Sequence, residues 1–384
     1  MRVLGACSLG GAGHLQPLLP LLDAARCAGH ETLVIGPAGL GAMVEAAGHP
    51  FTAGEEPPEE AIAPIREQLP VLPTQEASQL GNRELFGRLA TAAMMTAMDR
   101  VQTRWRPDIV LRDPCEYASA VVAHARGIET VQVAIGLAEV EWGSIAVAEP
   151  ALDAHREGLA GELRRSPYVT RFPASLDPSP FPDTRRFREP APPAPAPLPD
   201  WWGGSGAPLV YASFGTVLGY MSIAADAYRV VVEAVAGLEA RVLLTVGRRF
   251  DVRRLGRLPD NVHVEPWVDQ ADVLGHAQVV VCHGGSGTTF GALAAGTPVV
   301  IVPLFADQAT NARAVARAGA GIVVDTGGDD GGGRRLGDDH VAPLAAAIEA
   351  VRTSSTYRER ARGIGAEMAS APAVDTVLGD LLAS

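Results

Sequence analysis

The chain has 384 residues, 47% hydrophobic and 20% charged, which is enough for two domains with sizeable cores and too apolar for a disordered polymer. A net charge of −12 argues against a nucleic-acid binder, and no apolar run approaches the ~20 residues that span a bilayer. All 32 basic residues are arginine, and the absence of lysine removes Walker-type phosphate loops, Schiff-base enzymes and pyridoxal phosphate attachment.

The N-terminus lacks the long apolar region of a signal peptide and begins as a strand. Cys7, Cys27, Cys115 and Cys282 show no paired metal spacing and read as buried thiols of a reducing, cytoplasmic setting. Arg2 to Ser8 is a buried strand that runs into Leu9-Gly10-Gly11-Ala12-Gly13-His14. Leu15 to Cys27 carries apolar residues at helical spacing with Pro17 in the first turn, and Thr32 to Ile35 is a second strand. This βαβ opening invites a dinucleotide site. Gln16, however, stands where the third glycine of G-x-G-x-x-G belongs, and Val34-Ile35-Gly36-Pro37 offers no acid for a ribose. What the turn does offer is His14, an imidazole that either packs near a helix start or serves as a base near neutral pH.

Residues 54–70, rich in Glu and Pro, read as a loop or mobile insertion, and a long helix is expected from Asn82 to Trp105. A strand then runs from Asp108 to Asp113, followed by a helix over Glu116 to Ala125 and a strand over Thr130 to Ile135. Asp113 therefore falls at the same sheet end as His14. Its carboxylate either caps the following helix or orients the imidazole and stabilises its cation. Residues 136–180 read as partly helical and show no ligand site directly. The proline run Pro190 to Pro199 marks a semi-rigid linker over 190–207, between a first domain of 1–189 and a second of 208–365, with 366–384 as a closing helix.

In the second domain, Leu209 to Ser213 is a strand ending in the small-residue turn Ser213-Phe214-Gly215-Thr216. A helix covers Ile223 to Leu238, and strands cover Arg241 to Val246 and Asn261 to Trp267. Trp267, at a strand's C-terminal end, is either a core residue or a stacking platform for a nucleobase. The most informative stretch runs from Gln278 to Asn311. Its apolar strand stops at His283-Gly284-Gly285-Ser286-Gly287-Thr288-Thr289, a helix of small residues follows, and Gly296-Thr297-Pro298 leads to a second strand before Asp307-Gln308. Glycines that let backbone N–H groups approach an anion, at a helix start, read as a diphosphate cradle. Thr326 to Asp339, rich in Gly and Asp, reads as a flexible surface loop without a metal pattern, and the chain closes in helices.

Taken in order, Ser213-Phe-Gly-Thr216, Leu258-Pro-Asp-Asn-Val262, Pro266-Trp-Val268, His283-Gly-Gly-Ser-Gly-Thr-Thr289, Gly296-Thr-Pro298, Asp307-Gln308 and Gly319-Ala-Gly321 resemble the donor domain of GT-B nucleotide-sugar-dependent glycosyltransferases. The bacterial natural-product branch is the nearest in pattern. Gly13-His14-x-x-Pro17 and the strand ending at Asp113 agree more loosely. The resemblance implies an α/β fold of two Rossmann-like domains with parallel sheets facing across a cleft. It implies that His283, Gly285, Ser286, Gly287 and Thr288 bind the donor diphosphate, bordered by Ser213 and Thr216. Trp267 and Val268 would hold the base, Asp307 and Gln308 the sugar, and His14 and Asp113 would form the base and its orienting acid.

It further implies inverting transfer from a nucleotide sugar to a hydrophobic aglycone in antibiotic biosynthesis, with no metal or other cofactor required. Partners would then be donor and aglycone alone, with no nucleic acid and no membrane span; a homodimer is compatible with it. Members that use ribonucleotide donors usually carry a glutamate eight residues after the motif histidine, where it binds the ribose. Here that position is Gly291, which favours a dTDP-sugar over a UDP-sugar. Two alternatives share the scaffold: a nucleotide-sugar epimerase, and a non-catalytic auxiliary partner of another glycosyltransferase.

Overall fold

The computed structural model describes residues 1–9, 11–69, 72–190, 195–216, 218–327 and 335–383, with Thr74, Gln75 and Tyr220 described by their backbone only. Residues 191–194 of the proline run and 328–334 of the Gly/Asp-rich stretch lie outside this set. The chain divides into two compact units, Met1–Pro190 with Ser370–Ser384, and Ala191–Ala369.

In the first unit, β1 (Arg2–Ala6), β2 (Glu31–Gly36), β3 (Phe51–Ala53), β4 (Ile109–Arg112), β5 (Glu129–Val133), β6 (Tyr168–Thr170) and β7 (Thr184–Arg186) form one parallel sheet in the order β3-β2-β1-β4-β5-β6-β7. Its central strands are apolar nearly throughout because helices cover both faces. On one face Val3, Val34, Ile109 and Val131 pack with Leu18, Leu21 and Leu22. The same cluster takes in Val377, Leu378 and Leu381 of the last helix, Val374–Leu382. Arg188 pairs in parallel with Ala373, which brings the 370–384 segment onto this unit.

In the second unit, β8 (Leu209–Ser213), β9 (Arg241–Thr245), β10 (Val262–Glu265), β11 (Ala277–Cys282), β12 (Val299–Ile301) and β13 (Gly321–Val323) form a parallel sheet in the order β10-β9-β8-β11-β12-β13. Both sheets thus reverse their winding beside the first strand of the unit, between β1 and β4 and between β8 and β11. Such a switch point opens a crevice at the strands' C-terminal ends.

Four expectations need correction. Residues 54–70 include a helix, Glu59–Gln68, which Glu59 and Glu60 stabilise at its N-terminal end and the Arg66–Glu59 ion pair braces. The helix expected over Leu15 to Cys27 is instead a single turn, Ala12–Leu15, and a separate helix, Leu19–Cys27, with Pro17 in the break. Cys27 is exposed rather than buried; it sits at the end of the second helix, while Cys7 and Cys282 are buried. The long helix expected over Asn82 to Trp105 begins as a wide π segment, Gln79–Ala90, before α-helix Thr91–Arg104. Gly87 in that segment lets Ala148 and Ala151 of helix Ala138–His155 approach closely. Thr91 Oγ1 and His155 Nε2 meet backbone carbonyls of Phe86 and Gly87 there, at 2.8 and 3.1 Å.

Candidate functional site

At the first switch point, β1 runs into the turn that carries His14, and the neighbouring β4 ends at Asp113. Their side chains meet: His14 Nδ1 lies 3.2 Å from Asp113 Oδ2, with the imidazole 16% exposed and the carboxylate fully buried. Asp113 does not cap the following helix. That task falls to Glu116, whose carboxylate accepts from the Ser119 N–H at 3.1 Å. Asp113 instead accepts from the Ser8 N–H at 2.6 Å, the Ser8 hydroxyl at 2.9 Å and the Cys115 N–H at 2.7 Å.

Burial on its own would raise the Asp113 pKa. The charge of His14 and the bonds from His14, Ser8 and Cys115 outweigh it and hold the carboxyl below its usual range. The Phe86 ring, carried by the π segment, lies 6.2 Å from the imidazole. A small hollow beside Ser8 is lined by Pro37, Met94 and Tyr117 together with Glu55 and Glu116.

Behind this pair is a dense buried polar network. Arg112 donates to the carbonyls of Asp113 and Glu116 at 3.1 Å each and to Gln132 at 2.6 Å. Gln132 in turn donates to Glu141, which also accepts from the N–H groups of Ile135 and Gly136 at 2.8 Å. Burial pushes Glu116 up to about 7 and Glu141 up to about 8.

At the second switch point, β8 ends at Ser213 and β11 runs into His283. Helix Ser286–Ala294 starts at Gly285 with no side-chain cap, so its first N–H groups point outward without a partner from the cap residue. Gly284 has φ +93°, and a Cβ there would stand 2.9 Å from the Gln308 carbonyl, so only glycine fits. The His283 ring packs on Gly215 and Gly285; a Cβ on Gly285 would fall 2.5 Å from Nε2. Burial lowers His283 to about 4, against a smaller opposing effect from the Ser213 backbone, so the ring is neutral at physiological pH.

Asn311 braces the loop by donating to the Gly284 carbonyl at 2.8 Å, to Asp307 at 3.0 Å and to Ser286 at 3.2 Å. Burial raises the Asp307 carboxyl, opposed by its bonds from Asn311 and Ser286. Gln308 commits its amide oxygen to the N–H groups of Leu304 and Phe305 at 2.9 and 3.0 Å, which leaves the NH2 end uncommitted to that loop.

Sequence reading did not find Gln270. Its amide nitrogen reaches Thr288 at 3.0 Å, Tyr211 at 3.3 Å and Ser213 at 3.4 Å, so it ties the end of β8 and the start of helix Ser286–Ala294 to the loop after Trp267 and Val268. Trp267 is not a core residue. It is 51% exposed, and the Arg248 guanidinium lies 5.0 Å from its ring centre. Thr216 and Gly287 are exposed at the rim. Ser8 and Gln270 belong to no motif, and only their positions beside a strand end or helix start could have flagged them.

Among the described residues, no group of three His, Cys, Asp or Glu side chains is placed to hold a metal ion. Among them, too, no helix is long and apolar enough to cross a membrane.

Residues 229–383 match the family described as erythromycin biosynthesis protein CIII-like, C-terminal domain. The chain is 34% identical to the elloramycin glycosyltransferase ElmGT of Streptomyces olivaceus, over 97% of this chain and 94% of that one. It is 30% identical to the L-demethylnoviosyl transferase of Streptomyces niveus, over 100% and 98% of the two chains. The crystal structure of the glycosyltransferase SnogD from Streptomyces nogalater superposes with a TM-score of 0.76 at 27% identity, covering 100% of this chain and 99% of that one.

Proposed function

The chain belongs to the GT-B glycosyltransferases of natural-product biosynthesis and transfers a sugar to an aglycone, and from this premise we propose an inverting transfer from a dTDP-activated sugar, with His14 as base. The observation that carries the assignment is the His14–Asp113 pair at the first switch point. With Nδ1 turned to the carboxylate, Nε2 is free to take the proton of an acceptor hydroxyl. The acceptor oxygen bonds to the anomeric carbon from the face opposite the departing group. The bond from that carbon to the diphosphate breaks, and its electron pair leaves with the diphosphate. Asp113, held ionised by four donors, stabilises the imidazolium that results.

The diphosphate belongs on the second unit. The uncapped N–H groups of Ser286, Gly287 and Thr288 and the helix dipole favour the charge that develops there, and neutral His283 serves as a hydrogen-bonding group. In this reading Ser213 and Thr216 border the phosphates, Trp267 stacks on the base with Val268 beside it, and Asp307 and Gln308 hold the sugar. These groups suffice without a metal. Gly291 supports dTDP: it has no side chain for ribose hydroxyls, and even a Cβ would come within 3.2 Å of Leu274. Thymidine lacks the 2′-hydroxyl and loses nothing by this.

Calorimetric titration of dTDP, UDP and GDP into the protein tests the donor. A clear preference for dTDP is expected. Preference for UDP would discard the Gly291 argument and keep the transferase, and absence of binding by all three would overturn the cradle. Turnover of the nucleotide sugar without an acceptor would favour the epimerase reading instead.

A further inference from the structure

Resting on the reading of His14 as the base, we propose that Ser8 is a positioning residue that fixes the imidazole tautomer through Asp113. Ser8 lies at the C-terminal end of β1, six residues before His14 and 105 before Asp113. It contacts both. Its N–H donates to Asp113 Oδ2 at 2.6 Å, and its hydroxyl lies 2.9 and 3.1 Å from the two carboxylate oxygens and 3.4 Å from His14 Nδ1.

A hydroxyl carries one hydrogen. An ionised carboxylate can only accept, so that hydrogen goes to Asp113, and the hydroxyl turns a lone pair towards His14. Nδ1 then faces two acceptors, the Asp113 carboxylate and the Ser8 oxygen, and no donor. The proton must sit on Nδ1, which leaves the Nε2 lone pair as the base. Without the Ser8 hydroxyl the carboxylate keeps its charge and its bond from the Ser8 N–H but loses one of the donors that fix its plane.

The other charged or titratable groups close to Asp113 are Cys7 on β1, Arg112 on β4, and Cys115, Glu116 and Tyr117 after it. The Cys7 thiol donates to the His14 carbonyl at 3.8 Å rather than to the ring, and Arg112 donates to backbone carbonyls and to Gln132, so neither replaces the hydroxyl as a donor to the Asp113 carboxylate.

The test compares Ser8→Ala, Ser8→Thr and His14→Ala in steady-state kinetics with dTDP-sugar and a turned-over acceptor, between pH 5 and 9. Ser8→Ala is expected to lower kcat about 10- to 100-fold, the size of losing one hydrogen bond to a charged group, with donor KM unchanged. Removing the hydroxyl takes a donor from Asp113 and an acceptor from His14 Nδ1, so the acid limb of kcat/KM should shift from its parent position. Ser8→Thr restores the hydroxyl, and should restore both rate and profile. A Ser8→Ala enzyme with the parent rate, a lowered rate without a shifted limb, or a Ser8→Thr variant as impaired as Ser8→Ala each overturns the assignment.

Nitrogen-15 NMR of the unsubstituted protein provides a readout that needs no variant to fold. The His14 resonances should show Nδ1 protonated and Nε2 bare, and the reverse tautomer overturns the proposal. His14→Ala separates the two ideas. Full turnover by that variant would remove the base itself, whereas its inactivity beside an unaffected Ser8→Ala would remove only the role of Ser8.

Discussion

The two switch points solve different problems with different materials. In the second unit the polar groups lie close together in sequence, between His283 and Asn311 with Ser213 and Gln270 as braces, and the proposed anion site is made of backbone and neutral side chains. In the first unit the pair is assembled from two segments of chain, His14 and Asp113, and set on a buried network with formal charges on Arg112, Asp113 and their neighbours. Binding an anion needs dipoles aimed at one point, which a single turn and helix start can supply. Moving a proton needs a carboxylate held at a fixed distance from an imidazole, and parallel strands bring that partner only from elsewhere in the chain.

The sharpest way to separate the units is to remove the proposed base. His14→Ala should lower kcat about 10²- to 10⁴-fold while leaving nucleotide affinity unchanged, measured by turnover and by calorimetry on one preparation. A matching loss of nucleotide binding would erase the division of labour between the units.

The next largest effect concerns the buried acids, which among the described residues the first unit combines with a buried arginine. Glu141 has a folded-state pKa raised from 4.5 to about 8. Its contribution to stability is therefore complete below about pH 4.5 and is lost as pH rises through 8, on the order of a few kcal/mol. Urea midpoints for the protein should fall between about pH 5 and 8, and Glu141→Gln, which cannot ionise, should flatten that fall. Asp113 works in the opposite sense: its lowered pKa gives stability that disappears as pH drops below the usual carboxylate range.

A smaller effect probes the cradle. Gly285 has an ordinary φ of −64°, so Gly285→Ala adds no backbone strain, but its Cβ would displace the His283 ring. Nucleotide affinity should fall about tenfold, roughly 1.4 kcal/mol, with turnover chemistry affected only through binding. An unchanged Kd would mean that the ring position does not matter to the diphosphate. Smallest of all, Trp267→Ala should cost about 1 kcal/mol of nucleotide affinity through lost stacking and leave thermal stability nearly unchanged, because the ring is half exposed.

The contrast also explains how much could be read before any coordinates. The geometry of this turn was legible because it is a local property: His283 to Thr289 specify a strand end, a glycine turn and a helix start in seven consecutive residues. His14 and Asp113 could be named, but a helix cap and an orienting acid look alike until the chain is folded, and only the contacts to Ser8 and His14 decide between them. Ser8 and Gln270 were not found, since a lone polar residue at a strand or helix end carries no periodic signal. Residues 54–70 were mistaken for a loop because Pro57, Pro58 and Pro64 weigh against helix. Pro58 in fact precedes the first turn, and the helix tolerates Pro64 beyond its acid-rich start.

The return of Ser370–Ser384 to the first unit sets an order of events during synthesis. The second unit is continuous in sequence and holds all its strands by the time Ala369 has left the ribosome. The first unit begins earlier but finishes later, since Val377, Leu378 and Leu381 complete the apolar cluster around Leu18, Leu21 and Leu22. Until then helix Leu19–Cys27 presents part of its buried face to water. A released chain truncated near residue 370 would carry a complete second unit and an unfinished first one, the species that chaperones and proteases would meet first.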